Sequence, residues 1–287
     1  MPLSMSPEGI IHHPTVFKLG FLELTGFGLA VLLAFMVAQI VCQRELWRRG
    51  HDREADAMPD VTLAALLGTL IGAKTYFVIL TGDPGAFFSR GGFVYWGGFI
   101  GSVLLCWLVI KKKKLIFARF ADVAGVAIAA GYAVGRTGCW AVGDDYGKPW
   151  SGPFSVQFPE GAPPSTASVM TNQFGAVLPE GTPPDQVIAV HPTQLYETAM
   201  GFVMFLILWR FRAHRNREGW LFGMYCILAG IERFIVEFFR AKDDRLMAGG
   251  LSTAQVISIG VCLVGAAVMF LRRGPGGPES PATAQTA

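Results

Sequence analysis

The sequence predicts an all-α fold, a polytopic membrane protein of about seven transmembrane helices with a small periplasmic head. Three observations carry that prediction. Charged residues make up 16% of the 287-residue chain and hydrophobic residues 52%, whereas an ordinary soluble domain is about 25% charged. Seven apolar stretches of about 20 residues recur, the length that crosses a hydrocarbon core of roughly 30 Å. Basic residues gather in alternate connecting segments. So few charges cannot cover a globular surface of this size, which makes lipid the implied solvent. The net charge of +3 is too small to point to a partner.

The stretches run Gly20–Val41, Val61–Leu80, Phe93–Ile110, Phe117–Gly138, Pro192–Phe211, Trp220–Phe239 and Leu251–Leu271. They divide the chain into an outer N-terminal segment (1–19), helices one to four (20–138), a head (139–191), helices five to seven (192–272) and a disordered cytoplasmic tail (273–287). The first 18 residues lack a basic region followed by a short apolar core and cleavage site, so no cleaved signal peptide is expected. Trp96, Trp140, Trp150 and Trp220 fall near the predicted interfaces, as an aromatic belt would.

The connecting segments set the orientation. Arg44, Arg48, Arg49 and Arg53 follow the first stretch, Lys111 to Lys114 and Arg119 the third, Arg210, Arg212, Arg215 and Arg217 the fifth, and Arg272 and Arg273 the seventh. The opposite side has Arg90, Lys148, and Arg240, Lys242 and Arg245 offset by Asp243 and Asp244. The positive-inside rule then puts the N-terminus outside and the C-terminus in the cytoplasm. Lys111 to Lys114 read as a topogenic cluster, not a nucleic-acid contact. The long segment from Cys139 to Val190 is rich in Pro, Gly and polar residues, and a connection of that length is commonly functional.

Several function classes find no support. None of the five cysteines forms a CxxC pair, which argues against a disulfide framework or a zinc site. There is no HExxH and no GxxxxGK[ST] run, and no internal repeat of the kind many transporters show. The adjacent carboxylates Asp144 and Asp145 are a weak cation signal, so neither metal nor cofactor is expected.

Ionisable residues inside the stretches are costly and are functional candidates by default. Glu232, Arg233 and Glu237 lie in the sixth, Arg136 near the outer end of the fourth, and His191, Gln194 and Glu197 at the outer start of the fifth. Given the topology, Arg136, Glu197, Arg233 and Glu237 share the outer half of the bilayer. That placement predicts a polar pocket in which two guanidinium groups hold a phosphate. Structural explanations stand beside it. Arg233 and Glu237 are four apart and can simply pair, Arg136 can snorkel at a helix end, and Pro192 and Glu197 suit a helix start.

At these residues the chain resembles the prolipoprotein diacylglyceryl transferase family. The resemblance lies in Gly135-Arg136-Thr137-Gly138 with Gly143-Asp144-Asp145-Tyr146-Gly147, in His191-Pro192-Thr193-Gln194-Leu195-Tyr196-Glu197, and in the run from Glu232 to Arg240. It covers about Thr15 to Leu271 and implies transfer of a diacylglyceryl group from phosphatidylglycerol to the lipobox cysteine of a prolipoprotein, releasing glycerol phosphate. It implies a phospholipid-binding set of Arg136, Gly138, Cys139, Gly147, Gln194, Tyr196 and Glu197, with Trp96, Gly97 and Gly98 at the start of the third helix. Arg233 would be a second phosphate contact, and Glu237 would orient it or serve the thiol proton. The nucleophile comes from the substrate, so no enzyme cysteine is required.

The chain departs from the family pattern at Trp96, where a histidine is usual, at Phe27 for a tyrosine, at Asp144 for a glutamate and at Lys74 for an arginine. Proton acceptance then falls to His191, Asp144 or Glu237, or to no residue. A second reading is a paralogue that uses the same pocket on another acceptor or only binds anionic phospholipid. The Gly-rich start of the third helix suits either close helix packing or approach of a headgroup.

Overall fold

The computed structural model describes residues 9–19, 22–89, 92–241 and 250–276. Gly20, Arg90, Gly91, the charges from Lys242 to Arg245, and the tail from 277 onward lie outside the described residues. Each of the seven apolar stretches contains a long helix. In chain order the helices are α1 (Gly26–Arg48), the short α2 (Asp52–Asp56), α3 (Met58–Thr81), α4 (Tyr95–Lys112), α5 (Phe117–Val142), α6 (Ala167–Phe174), α7 (Thr193–Phe211), α8 (Trp220–Val236) and α9 (Thr253–Leu271). Four of them, α1, α3, α5 and α9, are long and apolar enough to cross a membrane by length and composition. The other three are short, 18, 19 and 17 residues, and each carries two charges: Lys111 and Lys112 in α4, Glu197 and Arg210 in α7, Glu232 and Arg233 in α8.

Helix limits differ from the sequence expectation at two places that matter. The first helix starts at Gly26, because Val16–Leu19 (β2) and Leu22–Thr25 (β3) pair antiparallel, and Thr25 then caps α1 by accepting from the Gly28 N–H. The fourth long helix, α5, continues four residues past Gly138 and ends on Gly143 in the left-handed conformation. Gly138 and Cys139 are therefore helical and buried, not part of a loop.

Packing is inverted relative to a soluble protein. Leu32, Leu33 and Met36 of α1, Leu67, Leu70 and Ile71 of α3, Phe99, Ile100 and Leu104 of α4, and Leu263 and Val264 of α9 are exposed. An apolar surface of that extent marks contact with lipid or another apolar partner. The interior is lined by small residues. Helix α5 buries Gly125, Ala127, Ala129, Ala130, Gly131 and Ala133, and it packs against α1, α7 and α8. The α3–α4 contact is closer still. A Cβ on Gly97 would come within 2.3 Å of the Gly72 carbonyl oxygen, and one on Gly101 within 2.3 Å of the Gly68 carbonyl oxygen. The glycines that open α4 thus serve helix packing.

The head is a folded lobe. Ile10–Ile11 (β1) pairs parallel with Val156–Gln157 (β4), so the N-terminal segment joins a strand of the lobe 146 residues further on. Its core contains Tyr146, Val156, Phe158, Met170, Ile188 and Val190.

At the opposite end of the bundle, Asp122 of α5 is fully buried and saturated. Its Oδ1 accepts from the backbone N–H groups of Gly219 (2.9 Å) and Leu221 (2.8 Å), capping the start of α8. Its Oδ2 accepts from Arg49 Nη1 (2.7 Å) and meets His214 Nε2 (2.8 Å). Glu45 holds Arg48 and Arg49, and both arginines donate to the Arg212 carbonyl (3.3 and 3.1 Å). Arg48 and Arg49 are thus structural partners, not only topogenic charges. The Asp122→Ala variant leaves a buried guanidinium and two helix-start N–H groups without acceptors, which is expected to cost about 3–5 kcal/mol. Thermal unfolding in detergent should show a clearly lowered midpoint, and an unchanged midpoint would remove this knot from the account of stability.

Candidate functional site

The second charged cluster lies where α5 and α8 end and α7 begins. Arg136 sits on the last turns of α5. Its Nη1 donates to Asp145 Oδ2 (2.9 Å) and to Cys139 Sγ (3.3 Å), and its Nη2 pairs with Glu197 of α7. Arg240, just past α8, completes the figure, with Nη2 donating to Asp145 Oδ1 (2.8 Å) and Nη1 lying 3.7 Å from Glu197 Oε1. Two guanidinium groups and two carboxylates thus form a closed square, each arginine facing both acids. Glu197 is buried, and charge in such a place is tolerable only when paired on this pattern.

The motif beginning at His191 builds this square. The Thr193 hydroxyl donates to the Asp145 carbonyl (2.6 Å), and Gln194 Nε2 donates to the Asp144 carbonyl (2.5 Å). These two side chains pin the backbone of the acidic pair while Glu197, one turn on, takes Arg136. Asp145 itself is held at a φ of +55°, a left-handed conformation that Asp tolerates better than most residues. That turn aims its carboxylate at both arginines. Gly147 lets the loop slip between α7 and α8: a Cβ there would lie 2.4 Å from the Phe239 carbonyl oxygen. His191 is engaged elsewhere, stacked on Trp150 with ring centroids 4.4 Å apart and with Nδ1 3.2 Å from the Tyr196 hydroxyl. Burial, helped by Lys148, pushes its pKa down, so it is neutral near pH 7.

Arg233 and Glu237 form a separate pair at 2.5 Å, with Glu237 nearly buried and Arg233 one-third exposed. Among the described residues, the buried atoms Arg136 Nε and Arg233 Nη1 have no acceptor, and Asp144 Oδ1 and Gln194 Oε1 have no donor. Trp96, Gly97 and Gly98 are not part of the square. Gly97 and Gly98 pack against α3, and Trp96, half-exposed, touches Tyr95 and Phe99. Cys139, Asp144 and Asp145 come close enough together to ligate a cation. Arg136 donates to two of the three, so a guanidinium already supplies the positive charge there. A shallow depression on the head beside α6 shares no residue with this cluster and has no ionisable side chain in its lining.

Sequence reasoning did not assign Arg240, Asp145 or Tyr132 to the site. The signal for Arg240 was its spacing, three residues past Glu237, but it reads equally well as a loop charge. Which of two adjacent aspartates turns inward depends on one backbone angle. Tyr132 is four residues before Arg136 and so on the same face of α5, and its hydroxyl donates to Glu232 of α8 (3.0 Å).

The two aspartates titrate in opposite directions. Burial, reinforced by Asp145, pushes the Asp144 carboxyl up to about 6. Burial alone would also raise Asp145, but Arg240 and Arg136 overcome it and hold it at about 2. From Asp144, then, stability is fully present below its ordinary value of 3.8 and is lost as pH rises through about 6. From Asp145, stability is present above 3.8 and is lost as pH falls through about 2. Unfolding midpoints measured against pH should therefore show Asp144→Asn flattening the decline that the wild type shows between about pH 4 and 6. Asp145→Asn should lower the midpoint throughout the neutral range. A wild-type slope retained in Asp144→Asn would mean that this carboxyl titrates normally.

Residues 14–271 match the family model described as prolipoprotein diacylglyceryl transferase. The phosphatidylglycerol–prolipoprotein diacylglyceryl transferase of Geobacter sulfurreducens is 30% identical over 273 residues, covering 91% of this chain and 96% of that protein. The enzyme of the same name from Clostridium tetani is 29% identical, over 91% of this chain and 98% of its own. That of Bordetella avium is 30% identical, over 90% and 93%. With a family match that spans residues 14–271, nearly the whole chain, the protein belongs to the prolipoprotein diacylglyceryl transferase family.

Proposed function

We propose that the protein transfers the diacylglyceryl group of phosphatidylglycerol to the lipobox cysteine thiol of a prolipoprotein, releasing glycerol phosphate. The observation that carries this reading is the arginine arrangement: buried guanidinium groups fixed by carboxylates, with Arg136 Nε and Arg233 Nη1 still free to donate. The reaction displaces a phosphate ester from a glyceryl carbon. Negative charge grows on the phosphate oxygens as the bond breaks, and preorganised N–H donors in a water-poor site stabilise it.

In this reading Arg136 binds the headgroup phosphate, and Arg233, oriented by Glu237, is the second contact. Gln194, Glu197 and Tyr196 hold the frame, with Gly138, Cys139 and Gly147 giving the backbone room for it. Asp144 lies beside the arginines with one buried oxygen unpartnered, suited to exchanging a proton with the departing phosphate. His191 fixes the head against α7. Trp96 faces the lipid-side approach on α4, and Gly97 and Gly98 set the close packing of α4 on α3 behind it. The catalytic chemistry runs without metal or cofactor. The seven long helices span the bacterial inner membrane with the N-terminus and the head in the periplasm and the C-terminus in the cytoplasm. The alternation of basic segments supports that orientation, and it puts the site at the level of the outer-leaflet headgroups.

The test is a transfer assay in which the purified protein meets phosphatidylglycerol vesicles and a lipobox peptide. The expected result is a mass gain of one diacylglyceryl group on the peptide cysteine, reduced by about 100-fold or more in Arg136→Ala, as loss of a key oxyanion donor does. Binding of phosphatidylglycerol without transfer to any lipobox peptide would instead support a paralogue with another acceptor.

A further inference from the structure

A thiol that attacks carbon must give up its proton, and its unperturbed pKa of about 8.5 leaves it mostly protonated at neutral pH. The carboxylates around the arginines are poorly placed to take that proton. Glu197 and Asp145 are committed to Arg136 and Arg240, and Glu237 to Arg233. Glu232 is different. It is buried on α8, is in no ion pair among the described residues, and has the Tyr132 hydroxyl as its hydrogen-bond donor at 3.0 Å. The groups that act on it from neighbouring helices are Tyr132 and Arg136 of α5 and Glu197 of α7, with Arg233 on its own helix.

Position is the stronger argument. Tyr132 is four residues before Arg136 on α5, so the Tyr132–Glu232 pair lies about one helical turn, roughly 5 Å, further from the head than the arginine. A displacement at carbon proceeds in line, with the nucleophile opposite the leaving oxygen. If phosphate is held at Arg136, the glyceryl carbon hangs on the side away from the head, and the sulfur must approach from deeper still. Asp144, Asp145 and Glu197 are at the phosphate end, while Glu232 is on the sulfur side.

Building on the transferase reading, we propose that Glu232 is the proton acceptor for the attacking thiol and that Tyr132 positions its carboxylate. The thiol proton passes to Glu232 as the S–C bond forms and the C–O bond to phosphate breaks. The electron pair of that bond leaves on the phosphate oxygen of glycerol phosphate, and Glu232 returns its proton to the departing phosphate or to water.

The test uses the full chain in phosphatidylglycerol vesicles, with a lipobox peptide carrying either cysteine or selenocysteine. A selenol is ionised at neutral pH and needs no base. Glu232→Gln should slow single-turnover transfer to the cysteine peptide by about 100-fold or more, the usual worth of a general base. It should keep phosphatidylglycerol binding, and transfer to the selenocysteine peptide should stay near wild type. Tyr132→Phe should show the same pattern more weakly. An equal loss on both peptides would overturn the proposal, because a structural defect would not distinguish them. Should Glu232→Gln fail to fold, Glu232→Asp takes its place: the shorter carboxylate should slow transfer to the cysteine peptide and leave the selenocysteine peptide near wild type, and an equal loss on both would overturn the proposal. Absence of transfer by the wild type with either peptide would instead sink the transferase reading itself.

Discussion

The site depends on one constraint, that a buried arginine must be matched by acid. Arg136 and Arg240 share Glu197 and Asp145, and these four side chains come from α5, α7, the end of α8 and the loop that enters the head. Glu197, the buried member, is not stable there alone, since burying a charge without a partner costs several kcal/mol. The square therefore acts as a joint. It fixes the relative height of three helices and docks the head onto them, and it holds the guanidinium planes still without using all their N–H groups.

The same logic operates at the other end of the bundle with a different outcome. Asp122 is surrounded by four donors and has no capacity left for a ligand. The upper cluster leaves buried donors and acceptors unmatched. Two charged knots of similar composition are thus told apart by saturation: one holds the helices together, and the other holds them while remaining able to bind. Between the knots there is little polar glue, and contact comes from small residues that let helix backbones approach, as at Gly68, Gly72, Gly97 and Gly101.

Much of this was legible in the sequence. Seven apolar stretches each hold a long helix, and the family resemblance rested on the motifs that build the square. Helix ends were less legible. Apolar residues from Leu22 onward read as membrane helix, yet they begin in a strand pair, because hydrophobicity alone does not separate β3 from the first turn of α1. The packing role of Gly97 and Gly98 was open until the α3 backbone was seen against them. Pairing across helices was least legible. Arg136 was assigned to the site beside Arg233, whereas its companion in the square is Arg240. A sequence fixes neither the rotation of α8 nor the left-handed turn at Asp145 that selects the partner.

The parallel pairing of Ile10–Ile11 with Val156–Gln157 has a consequence for biogenesis. Ile10 and Ile11 take their place in the structure only when a strand 146 residues downstream exists. Until then the intervening helices α1, α3, α4 and α5 form with that segment unpaired. Closing so large a loop is slow compared with forming a helix or a helix hairpin. The lobe thus closes later than the helices it brackets, by stitching together two stretches of chain that the bundle keeps far apart in sequence.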